Sequence, residues 1–293
     1  MRIHSHAALL AGILSGLSVL SAGCSRGGSE RALLQNKGSD TMVNIAQAWA
    51  ETYRTVKPEV GIAVSGGGSG TGIAALINGT VDIANASRDM HPDESEQVKS
   101  HNGKEAVEHK VARDGIVVFV HSNNPISSLT MENLACIYGE KGACDTWTSL
   151  GVEVPGCADQ KIIRVSRQSN SGTYEYFREA VLGKTGDFKL GSRDMQGSKD
   201  VVDLVSKTPC AIGYSGIGYA THELKSVCLA KDASTPCVAP TPATAKSGEY
   251  PLSRWLYMYT LGEPQGEIKA YISWILSPAG QKIVTDNGFV AIN

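Results

Sequence analysis

Residues 60–65 read VGIAVS, residues 66–72 read GGGSGTG, and the apolar run IAALI follows at 73–77. A β-branched apolar run, a loop of glycine and hydroxyl, and a short apolar helix form one unit. Chains that repeat this unit fold as a sheet covered by helices. Glycine loses more conformational freedom on folding than any other residue, so a cluster of it needs a reason. Placed before a helix, it lets another group come very close to the main chain, as an oxyanion does at a helix N-terminus.

The same grammar runs along the chain. Gly38-Ser39-Asp40-Thr41 precedes Met42, Ile45, Ala46, Trp49 and Tyr53, a helical spacing that stops before Pro58. Strands are expected at 60–64, 81–84, 116–120, 162–165 and 211–214. A helix is expected at 71–77, ended by Asn78-Gly79 as a left-handed cap would end it. RQSNSGTYEYF at 167–177 sets Ser171-Gly172-Thr173 at another helix start. Residues 232–248 are rich in Pro, Thr and Ala and read as an exposed loop, and helices are expected at 266–276 and 278–285. The alternation predicts an α/β fold with a parallel sheet.

Four loops therefore fall at strand ends or helix starts: 38–41, 68–70, 87–88 and 167–173. In an open α/β sheet such loops collect ligands. Each offers hydroxyls, free backbone N–H groups or a guanidinium. A serine taken alone is as well explained as a helix cap, and an arginine alone as a surface ion pair. The recurrence of small donor, glycine and helix start across loops spread over more than 130 residues points instead to one small polyanion that all four loops could satisfy.

Competing uses of glycine fit less well. Gly70-Thr71-Gly72-Ile73-Ala74-Ala75 matches the dinucleotide pattern GxGxxA, but Arg88 stands where an acidic residue should close the next strand. Gly183-Lys184-Thr185 lacks the first glycine of a phosphate-binding P-loop, since Arg178 occupies that place. No serine has the flanking glycines of a hydrolase nucleophile, and His91, His101, His109 and His121 adjoin no candidate nucleophile. The chain offers donors without an attacking group, so it is read as a binding protein and not as an enzyme. A formal charge of -2 provides no basic face for nucleic acid.

Gly38-Ser39-Asp40-Thr41, GGGSGTGI at 66–73, DIANASR at 82–88, ARDGIVVFVHSNNP at 112–125, SRQSNSGTYEYF at 166–177 and AIGYSGIGY at 211–219 together resemble the phosphate-binding proteins of bacterial phosphate ABC importers. The resemblance implies a two-lobed type II periplasmic-binding-protein fold with two crossover strands. It places residues 26–114 and 250–293 in one lobe and 115–249 in the other, closing on phosphate for delivery to the permease of an ABC importer. The implied ligand contacts are Ser39, Thr41, Ser69, Ser87, Arg88, Arg167, Ser171, Gly172 and Thr173. Some family members carry an aspartate where Arg88 stands, which accepts the proton of the bound phosphate, so Asp40 or Asp89 is the expected acceptor here. Sulfate, molybdate or tungstate binding, and a secreted phosphatase, are the alternatives. No cofactor or metal is expected, and the protein is read as a monomer.

The first 24 residues read as an export signal: Arg2, an apolar stretch at 7–20, then Ser21-Ala22-Gly23-Cys24, which resembles a bacterial lipobox with Cys24 as the lipidated residue. The expected location is the periplasm or cell envelope, on a lipid anchor. Cys136, Cys144, Cys157, Cys210, Cys228 and Cys237 remain, an even number in an exported chain, which suggests up to three disulfides among 15 possible pairings. Cys228 with Cys237, flanking a turn, is the first expectation. There is no CxxC for zinc.

Overall fold

The computed structural model describes residues 32–292; the expected export signal and Cys24 lie outside them. The chain runs β1 (Ala32–Gly38), α1 (Val43–Val56), β2 (Val60–Ser65), α2 (Ser69–Ile77), β3 (Ile83–Ala86), α3 (Pro92–Asn102) and β4 (Ala106–His121). It continues with β5 (Ser128–Thr130), α4 (Met131–Tyr138), β6 (Ile163–Arg167), α5 (Gly172–Leu182), β7 (Arg193–Met195), α6 (Ser198–Ser206) and β8 (Ala211–Gly216). Last come β9 (Leu224–Ala230), α7 (Pro242–Ser247), β10 (Ser253–Leu261), α8 (Gly266–Ile275) and α9 (Pro278–Asp286).

The sheet path is β2-β1-β3-β10-β4-β8-β6-β7, with β9 on β4 and β5 on β9. The expectation of a parallel sheet holds for β2-β1-β3 and for β8-β6-β7. It fails between them, where β10 and β4 are antiparallel to their neighbours. The reason is that β4 is one long strand serving two regions. Its first part, through Gly115, pairs with β10; from Ile116 onward it pairs with β8 and β9. The Ile116 N–H donates to Leu252 O at 2.8 Å where the chain comes back into β10. Two chain passages, one in each direction, thus lie side by side.

Apolar side chains fill both faces of this sheet. Trp49 and Tyr53 of α1 pack with Tyr271 and Ile275 of α8, in a core that continues to Val201 and Val205 of α6. Ile116, Val118 and Val120 on the second part of β4 pack with Trp147, Phe177, Tyr214 and Leu252. Ile73 and Leu76 of α2 meet Tyr257 and Tyr259 of β10.

The segment 232–248 is mostly exposed, as expected, but it is not all loop. Val238 pairs with Leu229 through two backbone hydrogen bonds, and α7 buries Ala245. Pro242 at the first helical position and the Thr241 cap supply a helix start that its composition hid. Three disulfides join Cys136 to Cys144, Cys157 to Cys210 and Cys228 to Cys237, the last as expected. Among the described residues, no helix is long and apolar enough to cross a membrane.

Candidate functional site

Close backbone packing brings the strand ends together. Gly38 ends β1 at φ +146°, and a Cβ there would run into the Asn85 carbonyl of β3. The next residue, Ser39, donates its N–H to Asn85 O at 2.9 Å. Gly72 lies against β1 from the other side: a Cβ would sit 2.5 Å from Lys37 O and 2.6 Å from Gly38 Cα. Gly68, at φ +94°, faces the loop before α5, where a Cβ would lie 2.5 Å from Asn170 O. The Gly70 N–H donates to that same carbonyl at 3.0 Å. The group that approaches Gly68 and Gly72 is therefore the protein's own main chain, and the oxyanion expectation moves to the hydroxyls this packing gathers.

Those hydroxyls come from four separate segments. Ser39 Oγ donates to Ser87 Oγ at 2.9 Å, Ser87 N–H donates to Ser69 Oγ at 3.0 Å, and the Ser69 and Ser87 hydroxyls are 3.3 Å apart. Thr41 Oγ1 and Thr173 Oγ1 share a hydrogen bond of 2.8 Å across 132 residues of sequence. Gly172 closes the gap between the serines and Thr173, since a Cβ on it would overlap Ser69 Oγ and approach Ser87 Oγ to 2.9 Å. None of these five hydroxyl residues is more than 2% exposed. Ser171 is buried beside them, its Oγ accepting from Thr173 N–H and Tyr174 N–H as the cap of α5.

Two buried charges that the sequence reading did not single out complete the cluster. Arg254, at the start of β10, donates from Nη2 to Thr173 Oγ1 at 2.9 Å and to Thr41 Oγ1 at 3.4 Å, and from Nη1 to Ser87 O at 2.8 Å. Its Nε and Nη2 also hold Asp114 Oδ2, at 3.0 and 2.8 Å. Asp114 Oδ1 accepts the Ile217 N–H at 2.9 Å. Burial pushes the Asp114 carboxyl up from its ordinary value, while Arg254 pulls it back. The sequence held a signal for each. Asp114 is a carboxylate entering an apolar strand, and Arg254 interrupts a strand that is otherwise mostly aromatic and aliphatic.

Arg167, fully buried, lies at the edge of the same region. It donates to Ser198 Oγ at 3.0 Å, Gln196 O at 2.7 Å, Met195 O at 3.3 Å and Asp40 Oδ2 at 3.2 Å. Burial pulls its guanidinium below the ordinary value, and Asp40 offsets this. Asp40 Oδ1 accepts Gly67 N–H at 2.8 Å. Tyr219, whose phenol burial pushes up to about 12, donates to Asp40 O at 2.9 Å.

Arg88 stands apart from the hydroxyls it was expected to join. Its Nη1 and Nη2 are each 2.7 Å from a Glu94 carboxylate oxygen, and its Nε pairs with Glu175. Asp89, the other expected acceptor, is exposed and outside the cluster.

Chemically, the cluster is a set of neutral dipoles edged by paired charges. Arg254 with Asp114 and Arg167 with Asp40 each sum to zero. Arg254 donates to both threonine oxygens, so one of the two threonine protons serves their mutual bond and the other remains to be given elsewhere. Such a set can hold a small oxyanion by hydrogen bonds. It carries no nucleophile with an adjacent base.

Residues 25–279 match the PBP superfamily domain. The chain is 36% identical over 269 residues to the phosphate-binding protein PstS of Pseudomonas aeruginosa, covering 88% of this chain and 83% of that protein. It is 31% identical over 268 residues to PstS of Bacillus subtilis, covering 90% and 83%. Among solved structures it is similar to a protein from Clostridium perfringens, described as a candidate phosphate ABC transporter substrate-binding protein and solved with phosphate bound. That likeness has a TM-score of 0.78 and 29% identity, over 89% of this chain and all of that one.

Proposed function

The chain belongs to the PBP superfamily and, within it, to the family of the PstS phosphate-binding proteins, with their type II periplasmic-binding-protein fold; from this we propose that it binds inorganic phosphate and hands it to an ABC-type phosphate importer. It acts as a binding protein and catalyses no reaction. The observation that carries the reading is the meeting of Thr41 and Thr173, under Arg254, with the serine cluster.

In this reading residues 26–114 and 250–293 form one lobe and 115–249 the other, divided where β4 changes partners. Ser39, Thr41, Ser69, Ser87 and Arg254 come from the first lobe, and Gly172 and Thr173 from the second. Neither lobe alone can satisfy the ion, so closure draws on contacts that exist only in the closed state. Hydrogen bonds to a charged group contribute about 1.5–3 kcal/mol each. After closure entropy and phosphate dehydration, a micromolar or tighter constant, about 8 kcal/mol or more, is expected.

Selectivity against sulfate rests on the proton that phosphate keeps near neutral pH. Asp40 is the acceptor: each of its carboxylate oxygens takes one hydrogen bond in the fold and has a lone pair to spare. Arg167 and Ser171 shape the pocket wall through Asp40 and the α5 cap. The protein works in the periplasm or cell envelope as a monomer anchored through lipid on Cys24.

The test is a phosphate titration followed by tryptophan fluorescence, with sulfate and molybdate as competitors, on wild type and Asp40→Asn. Saturable binding of phosphate over sulfate, with the preference reduced in D40N, is the expected result. A protein that prefers sulfate or molybdate, or ignores all three, overturns the reading. An unchanged preference in D40N overturns the part given to Asp40.

A further inference from the structure

Ser87 of the hydroxyl cluster is followed by Arg88, and Thr173 is followed two places on by Glu175. These flanking residues meet. The Arg88 guanidinium lies against Glu94 on one edge, where Glu94 is also fixed by the N–H of His91 at the start of α3. Its Nε faces Glu175 on α5, and His91 Nε2 lies 3.2 Å from the same Glu175 oxygen. Arg88 is 5% exposed, Glu94 16% and Glu175 19%.

The two carboxylates differ in what they join. Glu94 is local, six residues from Arg88, and would keep its partner if α5 moved away. Glu175 belongs to the helix whose first turn supplies Gly172 and Thr173, so its pairing with Arg88 and His91 exists only while α5 abuts the end of β3. A half-buried carboxylate meeting one guanidinium and one imidazole there favours the abutting arrangement without touching the hydroxyl cluster.

We propose that Glu175 is a positioning residue, a latch that docks on Arg88 and His91 and sets how long the closed state persists. The inference rests on the two-lobe reading above. Removing one partner of a buried charge pair acts mainly on dissociation, because the pair forms after encounter. Discrimination among anions belongs to the hydroxyls and stays as it is.

The experiment compares Glu175→Gln, Glu175→Asp and His91→Gln with wild type in stopped-flow tryptophan fluorescence with inorganic phosphate. E175Q should release phosphate about tenfold faster, with association within about twofold of wild type and an unchanged phosphate-to-sulfate ratio. E175D, which keeps the charge, should recover most of the loss, and H91Q should show a smaller acceleration. Wild-type dissociation in E175Q, or an altered anion ratio, overturns the latch. If E175Q does not fold, an H91Q variant with wild-type dissociation overturns it instead. If wild type itself ignores phosphate, the earlier functional reading fails but the latch is still tested by small-angle scattering of unliganded protein. E175Q must then have the larger radius of gyration, and equal radii overturn the proposal.

Discussion

Arg254 and Asp114, 140 residues apart in sequence, share a single carboxylate oxygen: Arg254 Nε and Nη2 reach Asp114 Oδ2 at 3.0 and 2.8 Å in a setting almost closed to water. One guanidinium therefore ties the two passages of chain together while its Nη2 also meets both threonine hydroxyls.

Arg254→Met strands the Asp114 carboxylate in that setting. Losing one partner of a buried pair costs about 3–5 kcal/mol, because the other charge stays uncompensated. Adding Asp114→Asn removes the stranded charge, so the double variant should regain most of the stability in urea unfolding. Phosphate binding should not return, because the threonines have lost their donor. A double variant that binds like wild type would confine Arg254 to a structural role.

At Gly172 the question is one of space. A methyl group there overlaps Ser69 Oγ and crowds Ser87 Oγ, but only when α5 sits against the end of β3. Gly172→Ala should leave the melting temperature of the unliganded protein almost unchanged if the lobes can part. Overpacking of about 1–3 kcal/mol then falls on the closed state alone, weakening phosphate roughly 5- to 150-fold. Calorimetric titration beside thermal unfolding separates the two effects. A large loss of melting temperature with unaltered affinity would count against closure at this contact.

The elements legible in the sequence are those with one buried face and a marked end. Helix α2, with its glycine start and Asn78-Gly79 end, and the paired C-terminal helices α8 and α9 lie within two residues of expectation. Helix α3 was not expected, because it buries only Val98 and shows no apolar period. Only the second part of β4 was visible; the first, with Glu108, His109, Lys110, Arg113 and Asp114, carries polar and charged side chains that find partners such as Thr260, Trp255 and Arg254 on β10. In the site, Ser39, Thr41, Ser69 and Thr173 were legible because glycine marks their loops, and Ser87 because it leaves the end of a strand. Asp114 and Arg254 were hidden because each is a single charge in a strand, and their meaning comes from a partner more than a hundred residues away.

The disulfides should differ in weight. Cys157 and Cys210 are 53 residues apart, against 8 for Cys136–Cys144 and 9 for Cys228–Cys237. Loop-closure entropy gives about 4 kcal/mol for the long loop and roughly 2.5 kcal/mol for each short one. Replacing each pair by alanines and measuring urea unfolding tests the order. Equal costs for all three pairs would mean that local packing, such as the Trp147 Nε1–H donated to Cys210 O at 3.0 Å, outweighs chain entropy.

His109 gives stability a dependence on pH. Thr260 donates its hydroxyl proton to Gly262 O at 3.0 Å, so its oxygen accepts from His109 Nε2–H at 3.1 Å. Protonation would add a second N–H, at Nδ1, on a half-buried ring. Burial accordingly lowers the imidazole below its ordinary value, with Glu263 and Glu108 opposing the shift. A base depressed in the fold takes up its proton more readily when unfolded, so its contribution is intact above about pH 6.5 and is lost as the pH falls through the folded value. His109→Gln keeps a side chain able to donate to Thr260 but cannot titrate. Its stability curve should fall less than that of wild type as the pH drops below about 6.5. Parallel curves for the two proteins in chemical unfolding across that window would rule out His109 as the source of the slope.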